Sequence, residues 1–126
     1  MALTQGKKYK RVLVVDDEHA VADTLVLILE GAGYSASAVY SGAEAIDAAE
    51  SLKPDLIISD VMMPPGIDGV RAAMEIMLIH PECRIVLFSG QAATNDLLID
   101  AKARGYQFEI LAKPIHPLEL LQRIAA

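Results

Sequence analysis

The chain contains no tryptophan, two phenylalanines and four tyrosines, so aromatics make up only 5% of its 126 residues. A core must therefore be assembled from Leu, Ile, Val, Ala and Met. Cysteine is as scarce: Cys83 stands alone, which excludes an internal disulfide and leaves no second thiol for a metal site. Lying between Pro81-Glu82 and an apolar run, it reads as a buried bystander. No apolar stretch is long enough to cross a bilayer, and the amino terminus lacks the basic, apolar and small-residue regions of a secretory signal. Basic charge is in deficit, with 11 Lys and Arg against 17 Asp and Glu and a net charge of −6. That balance argues against a nucleic-acid or acidic-membrane surface, either of which calls for a basic patch. The short basic cluster Lys7, Lys8, Lys10 and Arg11 reads as a solvated lead-in to a first strand. Together these absences point to a reducing, cytoplasmic setting without nucleic-acid or membrane partners.

What remains is mostly aliphatic. Apolar residues amount to 53%, enough for a packed core, and the length fits one ordinary domain. Short runs rich in Val and Ile alternate with longer helix-periodic segments, the pattern of βαβ units around a parallel sheet buried on both faces. Strands are predicted near residues 11–15, 35–40, 56–60, 84–89 and 107–111. The first, third and fourth are almost continuously apolar and should be central. Ser35-Ala36-Ser37-Ala38-Val39-Tyr40 is small and polar by alternation, which suits an edge.

The helical segments carry their own punctuation. The first is predicted from Glu18 to Glu30 with Val21, Leu25, Ile28 and Leu29 inward, and Gly31 and Gly33 as left-handed stops. Ser41-Gly42-Ala43-Glu44 matches a capping box, so a second helix starts there and buries Ile46, Ala49 and Leu52. A third follows Asp68-Gly69 and uses Val70, Met74 and Met77 as core filling. A fourth spans Asn95 to Arg104, closed by Gly105. The last begins at Pro117, a residue suited to a first helical turn, and buries Leu118, Leu121 and Ile124. The expected fold class is a three-layer α/β sandwich with five parallel strands and five helices.

The chemistry lies where polar residues end the apolar runs. Val12-Leu13-Val14-Val15 ends in Asp16-Asp17, Leu56-Ile57-Ile58-Ser59 in Asp60, Ile85-Val86-Leu87-Phe88 in Ser89, and Ile110-Leu111-Ala112 in Lys113. In open parallel sheets such ends gather at one edge, near the point where strand order reverses. Three carboxylates crowded there repel one another by several kcal/mol per pair, about 4 kcal/mol at 4 Å and an effective dielectric near 20. Lys113 relieves part of that, and a hard divalent cation is the other candidate. All-oxygen ligands in small number suit Mg²⁺. Each piece alone has a plainer reading: Asp-Asp as a helix N-cap, Asp60 and Ser89-Gly90 as turns. Their occurrence at four strand ends favours a phosphoryl site. His19, His80 and His116 share no ligand spacing with these groups and are read as structural.

Over essentially its whole length the chain resembles the CheY-like receiver domain of two-component response regulators. The matching pieces are Val14-Val15-Asp16-Asp17-Glu18, Asp60-Val61-Met62-Met63-Pro64 with Asp68-Gly69, Ser89-Gly90, and Lys113-Pro114. The resemblance implies a flavodoxin-like fold with strand order 2-1-3-4-5, a lead-in over residues 1–10 and a receiver domain over 11–126. It implies Asp60 as phosphoacceptor, served by a sensor histidine kinase or phosphotransfer protein. Asp17, Asp60 and the backbone carbonyl of Met62 would bind Mg²⁺ directly, and Asp16 through water. Ser89 and Lys113 would contact the phosphoryl oxygens, and the Lys113-Pro114 bond would be cis. Structural roles fall to Gly69 and Pro114. Output is then by contact with a downstream protein through the fourth helix, fifth strand and fifth helix, or by passing the phosphoryl group onward, from a stand-alone regulator. Ser89 would follow the phosphoryl oxygen inward and draw the loop after the fourth strand with it.

Two departures stand out. The segment Met63-Pro64-Pro65-Gly66-Ile67-Asp68-Gly69 is one residue longer than usual. Ile110 occupies the position three before the lysine where receivers usually carry Tyr or Phe, so the signal is expected to pass through the backbone of residues Ser89 to Gln91. Met62 and Gln91 flank the approach of water to the phosphoryl group, and an apolar Met62 is expected to slow its hydrolysis. The competing readings are an Mg²⁺-dependent phosphatase or phosphotransferase with an aspartyl intermediate, and a receiver-like interaction module that is never phosphorylated. The first wants an acid two residues past the nucleophile, where Met62 stands. A phosphoacceptor of the receiver kind would be no metabolic enzyme, its only turnover being self-dephosphorylation.

Overall fold

The computed structural model describes residues 11–64, 66–90 and 95–125. Five strands alternate with five helices among them. The strands are β1 (Arg11–Val15), β2 (Ser35–Val39), β3 (Leu56–Asp60), β4 (Arg84–Ser89) and β5 (Glu109–Ala112). The helices are α1 (His19–Gly31), α2 (Gly42–Leu52), α3 (Gly69–Ile79), α4 (Asn95–Ala103) and α5 (Pro117–Ala125). All strand pairs are parallel, in the order β2-β1-β3-β4-β5. The small, polar second strand is indeed an edge. The basic lead-in residues Lys7, Lys8 and Lys10 lie outside the described residues.

Alternation along the strands sends two sets of side chains to opposite faces. Leu13, Val15, Ile57, Ile85 and Leu87 meet Ala45 and Ala49 of α2, Val70, Ala73 and Ile76 of α3, and Ala101 of α4. Val12, Val14, Leu56, Ile58, Val86, Phe88 and Leu111 meet Ala22 and Leu29 of α1 and Leu120 and Ile124 of α5. The sheet is therefore the middle of three layers, and its central strands run apolar through Val12–Val15, Leu56–Ile58 and Ile85–Phe88 because both faces are covered. Each Leu or Ile fully buried here contributes about 1.5–3 kcal/mol.

The helix caps follow the sequence. Ser41 Oγ accepts from the Glu44 amide at 3.1 Å, while Glu44 Oε1 accepts from the Tyr40 amide at 2.8 Å. That second bond takes Tyr40 out of the ladder, so β2 ends at Val39, one residue short of the expected end. Asp68 caps α3 by accepting from the Arg71 amide at 2.8 Å. His116 Nδ1 accepts from the Leu118 amide at 3.1 Å and caps α5.

Several expectations need correction. Val21 is 38% exposed and Ala22 is buried in its place. Leu52 is 45% exposed, and Ala45, Ala48 and Ala49 carry the inner face of α2. In α5, Leu118 is 64% exposed and Leu120 is fully buried, because the helix settles in the phase of Leu120 and Ile124. The left-handed residue after α1 is Gly33 (φ 101), since Gly31 still belongs to the helix. The fifth strand begins two residues later than expected. The Tyr106 amide is still bonded to Ala101 O of α4 at 2.9 Å, and pairing with β4 starts at Val86 and Glu109.

One polar feature ties the far end of this arrangement together. Arg84 donates through Nε and Nη2 to both carboxylate oxygens of Glu109, at 2.5 and 2.6 Å. Its Nη1 and Nη2 also reach the carbonyls of Ile124 and Arg123 at 3.0 and 3.2 Å. The fork holds the Glu109 carboxyl below the usual range, against an opposing effect of burial.

Candidate functional site

Strand register assembles the site. Val15 pairs with Ser59, so Asp16 and Asp60 leave adjacent strands at the same level. Asp60 pairs with Phe88, which puts Ser89 one step beyond, and Ser89 pairs with Ala112, which Lys113 follows. Strand order reverses between β1 and β3, and the crevice at that point is where such sheets bind ligands. All five polar residues read from the strand ends converge on this edge.

Asp16, Asp17 and Asp60 offer carboxylate oxygens within 4.8 Å of one another. Lys113 Nζ stands 3.2 Å from Asp60 Oδ1 and 3.8 Å from Asp16 Oδ2. Lys113 is thus ion-paired with two of the three carboxylates. The Asp16 side chain is 2% exposed. Its Oδ1 accepts from the Glu18 amide at 3.0 Å, so the residue also helps to start α1, as the N-cap reading of the doublet anticipated. Its Oδ2 is buried without a hydrogen-bond partner among the described residues. Burial pushes the Asp16 carboxyl above its ordinary range, and the charges of Asp60 and Asp17 add to that; the Glu18 amide and Lys113 oppose it. A buried, unpartnered carboxylate oxygen amid like charges is the condition that a bound cation removes. The donor set is all oxygen, which fits a hard divalent ion.

The backbone around the acceptor is tightly constrained. A Cβ on Gly69 would lie 2.0 Å from the carbonyl oxygen of Asp60, so only glycine lets α3 begin against that peptide. The Gly69 amide donates to Val61 O at 2.7 Å. Val61 and Met63 are buried, which grips the chain on both sides of Met62, itself 39% exposed. On the other wall, a Cβ on Gly90 would stand 3.2 Å from Lys113 Cβ. Gly90 thus makes room for the lysine stem, a role hidden behind the turn signal of Ser89-Gly90. The Ser89 carbonyl accepts from the Lys113 amide at 3.2 Å, and the Lys113-Pro114 bond is cis. A cavity of about 360 Å³ opens here, lined among others by Asp17, Asp60, Met62, Ser89 and Lys113.

The histidines stay out of it. His19 stacks on Tyr40 with ring centroids 3.7 Å apart, His80 Nε2 lies 3.1 Å from Pro54 O, and His116 is a cap. Cys83 is buried, and burial pushes its thiol up to about 12. Ile110 is half-exposed beside a stacked pair, Tyr106 and Phe108, whose centroids are 6.1 Å apart and which pack toward α4. Gln91 and Pro65 lie outside the described residues.

The sequence model for the response regulator receiver domain matches residues 12–125. The chain belongs to this family. "DNA-binding response regulator MtrA" of Mycobacterium tuberculosis H37Rv is 29% identical over 117 residues, which cover 93% of this chain and 50% of that protein. "Response regulator MprA" of Mycobacterium avium is 34% identical over 118 residues, covering 92% and 50% respectively. This receiver chain therefore spans about half the length of these curated relatives. Among solved structures, the CheY-like receiver domain protein of Methanospirillum hungatei superposes with a TM-score of 0.81 at 25% identity, covering 91% of this chain and 90% of that one. Receiver domains are regulatory phosphoacceptors that work with histidine kinases, and the acidic cluster described above is compatible with the Mg²⁺ they bind. Among the described residues no helix is long and apolar enough to cross a membrane.

Proposed function

We propose that Asp60 is the phosphoacceptor of a receiver unit spanning residues 11–126. The observation that carries this is the charge pattern at the sheet edge: three carboxylates within 4.8 Å, one with an orphaned buried oxygen, and two of them paired with Lys113. Asp16, Asp17, Asp60 and the backbone carbonyl of Met62 would hold Mg²⁺. When bound, the ion would supply neutralisation of the acceptor and of the incoming phosphoryl oxygens.

An Asp60 carboxylate oxygen attacks phosphorus while the P–N bond to the donor histidine breaks and its electron pair leaves with the imidazole. Transfer of this kind asks the protein mainly for position and charge. Lys113, already paired with Asp60, lowers the repulsion between acceptor and phosphoryl group. The Ser89 hydroxyl donates to a phosphoryl oxygen, and Ser89 O and the Lys113 amide, bonded to each other, carry that movement into β4 and β5. Turnover is limited to self-dephosphorylation. The rival phosphatase reading needs an acid where the apolar, exposed Met62 stands, and the uncharged-module reading leaves Asp16 Oδ2 unsatisfied.

Output is by contact of the α4, β5 and α5 surface with a protein partner. That surface includes a cavity of about 480 Å³ lined by Leu98, Lys102, Tyr106, Phe108 and Ile110. DNA binding is named for MtrA; the net charge of −6 of this chain supports a protein partner for this surface. The deciding experiment is incubation with Mg²⁺ and acetyl phosphate, read by intact mass. The wild-type protein gains one phosphoryl group and Asp60→Asn gains none. No gain in the wild type, or an equal gain in Asp60→Asn, overturns the assignment.

A further inference from the structure

Gly42, the first residue of α2, has no polar group to offer the site. Yet its surroundings are as tight as those of Gly69. A Cβ added to it would stand 2.7 Å from Ile67 Cγ1, 3.0 Å from Ile67 O and 3.2 Å from Ile67 Cδ1. Ile67 therefore lies directly on the bare backbone of the α2 first turn. The next two residues are Asp68, which caps α3, and Gly69, which abuts the Asp60–Val61 peptide and donates to Val61 O at 2.7 Å. The three-residue segment Ile67-Asp68-Gly69 is thus held between two unyielding surfaces, the start of α2 on one side and the acceptor's own peptide on the other.

We propose that Gly42 is a positioning residue for phosphoryl transfer, setting the height of the Asp60 peptide through Ile67 and Gly69. The inference rests on Asp60 being the acceptor. A side chain at position 42 must push Ile67 from 2.7 Å out to the 3.4 Å of ordinary contact. Ile67 is only half-buried, but its own carbonyl oxygen also stands 3.0 Å from the added Cβ, so turning its side chain alone does not clear the space, and the carbonyl of Asp60 is the next hard surface. Just upstream, Gly66 has φ 103 and open space around its Cα. Between Ile67 and Asp60 there is no such room, since a Cβ on Gly69 would stand 2.0 Å from the Asp60 carbonyl oxygen. Pressure from α2 is therefore transmitted to the acceptor. Displacements well under 1 Å at a reacting group suffice for about 10-fold losses, given that 1 Å costs up to about 100-fold.

The test compares four forms of this chain: wild type, Gly42→Ala, Ile67→Ala, and the double variant. Phosphorylation rate with acetyl phosphate and Mg²⁺ affinity by calorimetry are read alongside urea stability. Gly42→Ala is expected to lower the rate constant about 10-fold and weaken Mg²⁺ binding while remaining folded. Ile67→Ala in the same chain removes the two side-chain contacts and is expected to restore at least half of the loss on a logarithmic scale, although it lowers stability further. A role confined to folding predicts the reverse, with the double variant the worst in every readout. A normal rate and Mg²⁺ affinity in Gly42→Ala, or no recovery in the double variant, overturns the proposal while leaving Asp60 as acceptor. If the wild type takes up no phosphoryl group, both this inference and the assignment of Asp60 fall.

Discussion

Substituting Asp16 by asparagine should make the metal-free protein more stable, although it damages the site. The side chain is buried, and its Oδ2 has no hydrogen-bond partner among the described residues. At an effective dielectric near 20, a like-charge pair at the 4.8 Å outer limit of the cluster repels by about 3.5 kcal/mol. Attraction to Lys113 at 3.8 Å is worth about 4.4 kcal/mol by the same rule. Asp16 takes part in two such repulsions and one attraction, so removing its charge relieves about 2–3 kcal/mol. Its raised carboxyl already recovers part of that by holding a proton more readily. Asparagine keeps the Oδ1 that accepts from the Glu18 amide and puts an uncharged amide where Oδ2 was. The net expectation is a gain of about 1–3 kcal/mol near neutral pH, equivalent to several degrees in midpoint.

Thermal and urea unfolding with and without Mg²⁺ measure this directly. Because the folded-state carboxyl of Asp16 is raised, its contribution is fully present below the unfolded carboxylate range and is lost as pH rises through the folded value. The gap between variant and wild type should therefore widen from acid to neutral pH. Mg²⁺ at a hundredfold excess over its dissociation constant should add about 2.7 kcal/mol to the wild type, and much less to the variant. A variant less stable than the metal-free wild type, or equal stabilisation of both by Mg²⁺, would refute the like-charge reasoning.

Three further outcomes can be checked. Leu120→Ala should cost about 2–5 kcal/mol in urea unfolding, whereas Leu118→Ala should change stability by no more than about 0.5 kcal/mol; similar costs would mean that α5 sits in the other phase. Glu109→Gln should lower stability at neutral pH by less than about 1 kcal/mol, since solvent screens the pair. Because the Glu109 carboxyl is held low, that contribution is present above the ordinary carboxylate range and is lost as pH falls through its folded value; a difference that persists in acid would contradict it. Met62→Asn should shorten the lifetime of the aspartyl phosphate, and an unchanged decay rate would remove Met62 from the path of water.

Strand existence was legible because two-sided burial leaves Val12 to Val15 and Leu56 to Ile58 uninterrupted by polar residues. The site was legible for the same reason: a carboxylate or ammonium that ends such a run marks a sheet edge. Helix faces were harder to read. Leu118, Leu120, Leu121 and Ile124 support two phases at helical spacing, and only packing against Leu29 and Phe88's face of the sheet decides between them. Alanine hides in the same way: Ala22, Ala45 and Ala73 fill the close helix–sheet contacts, yet hydrophobic periodicity draws attention to Val21 and Leu52. The start of β5 depended on a hydrogen bond from Tyr106 to Ala101, which no local pattern announces. Gly69 was singled out by the family resemblance. Its reason, a carbonyl where a Cβ would be, exists only in three dimensions.

The guanidinium of Arg84 has a consequence for how force travels through the molecule. Terminal carbonyls of a helix want donors, and here the last turn of α5 obtains them from β4, through the same group that grips β5. Helix and strand edge are thereby yoked: a protein that levers on α5 also pulls on the row of strands that ends at Lys113. Lysine in place of Arg84 would keep the charge but lose the planar fork that reaches Glu109 and both terminal carbonyls together, loosening the final helix from the strand edge.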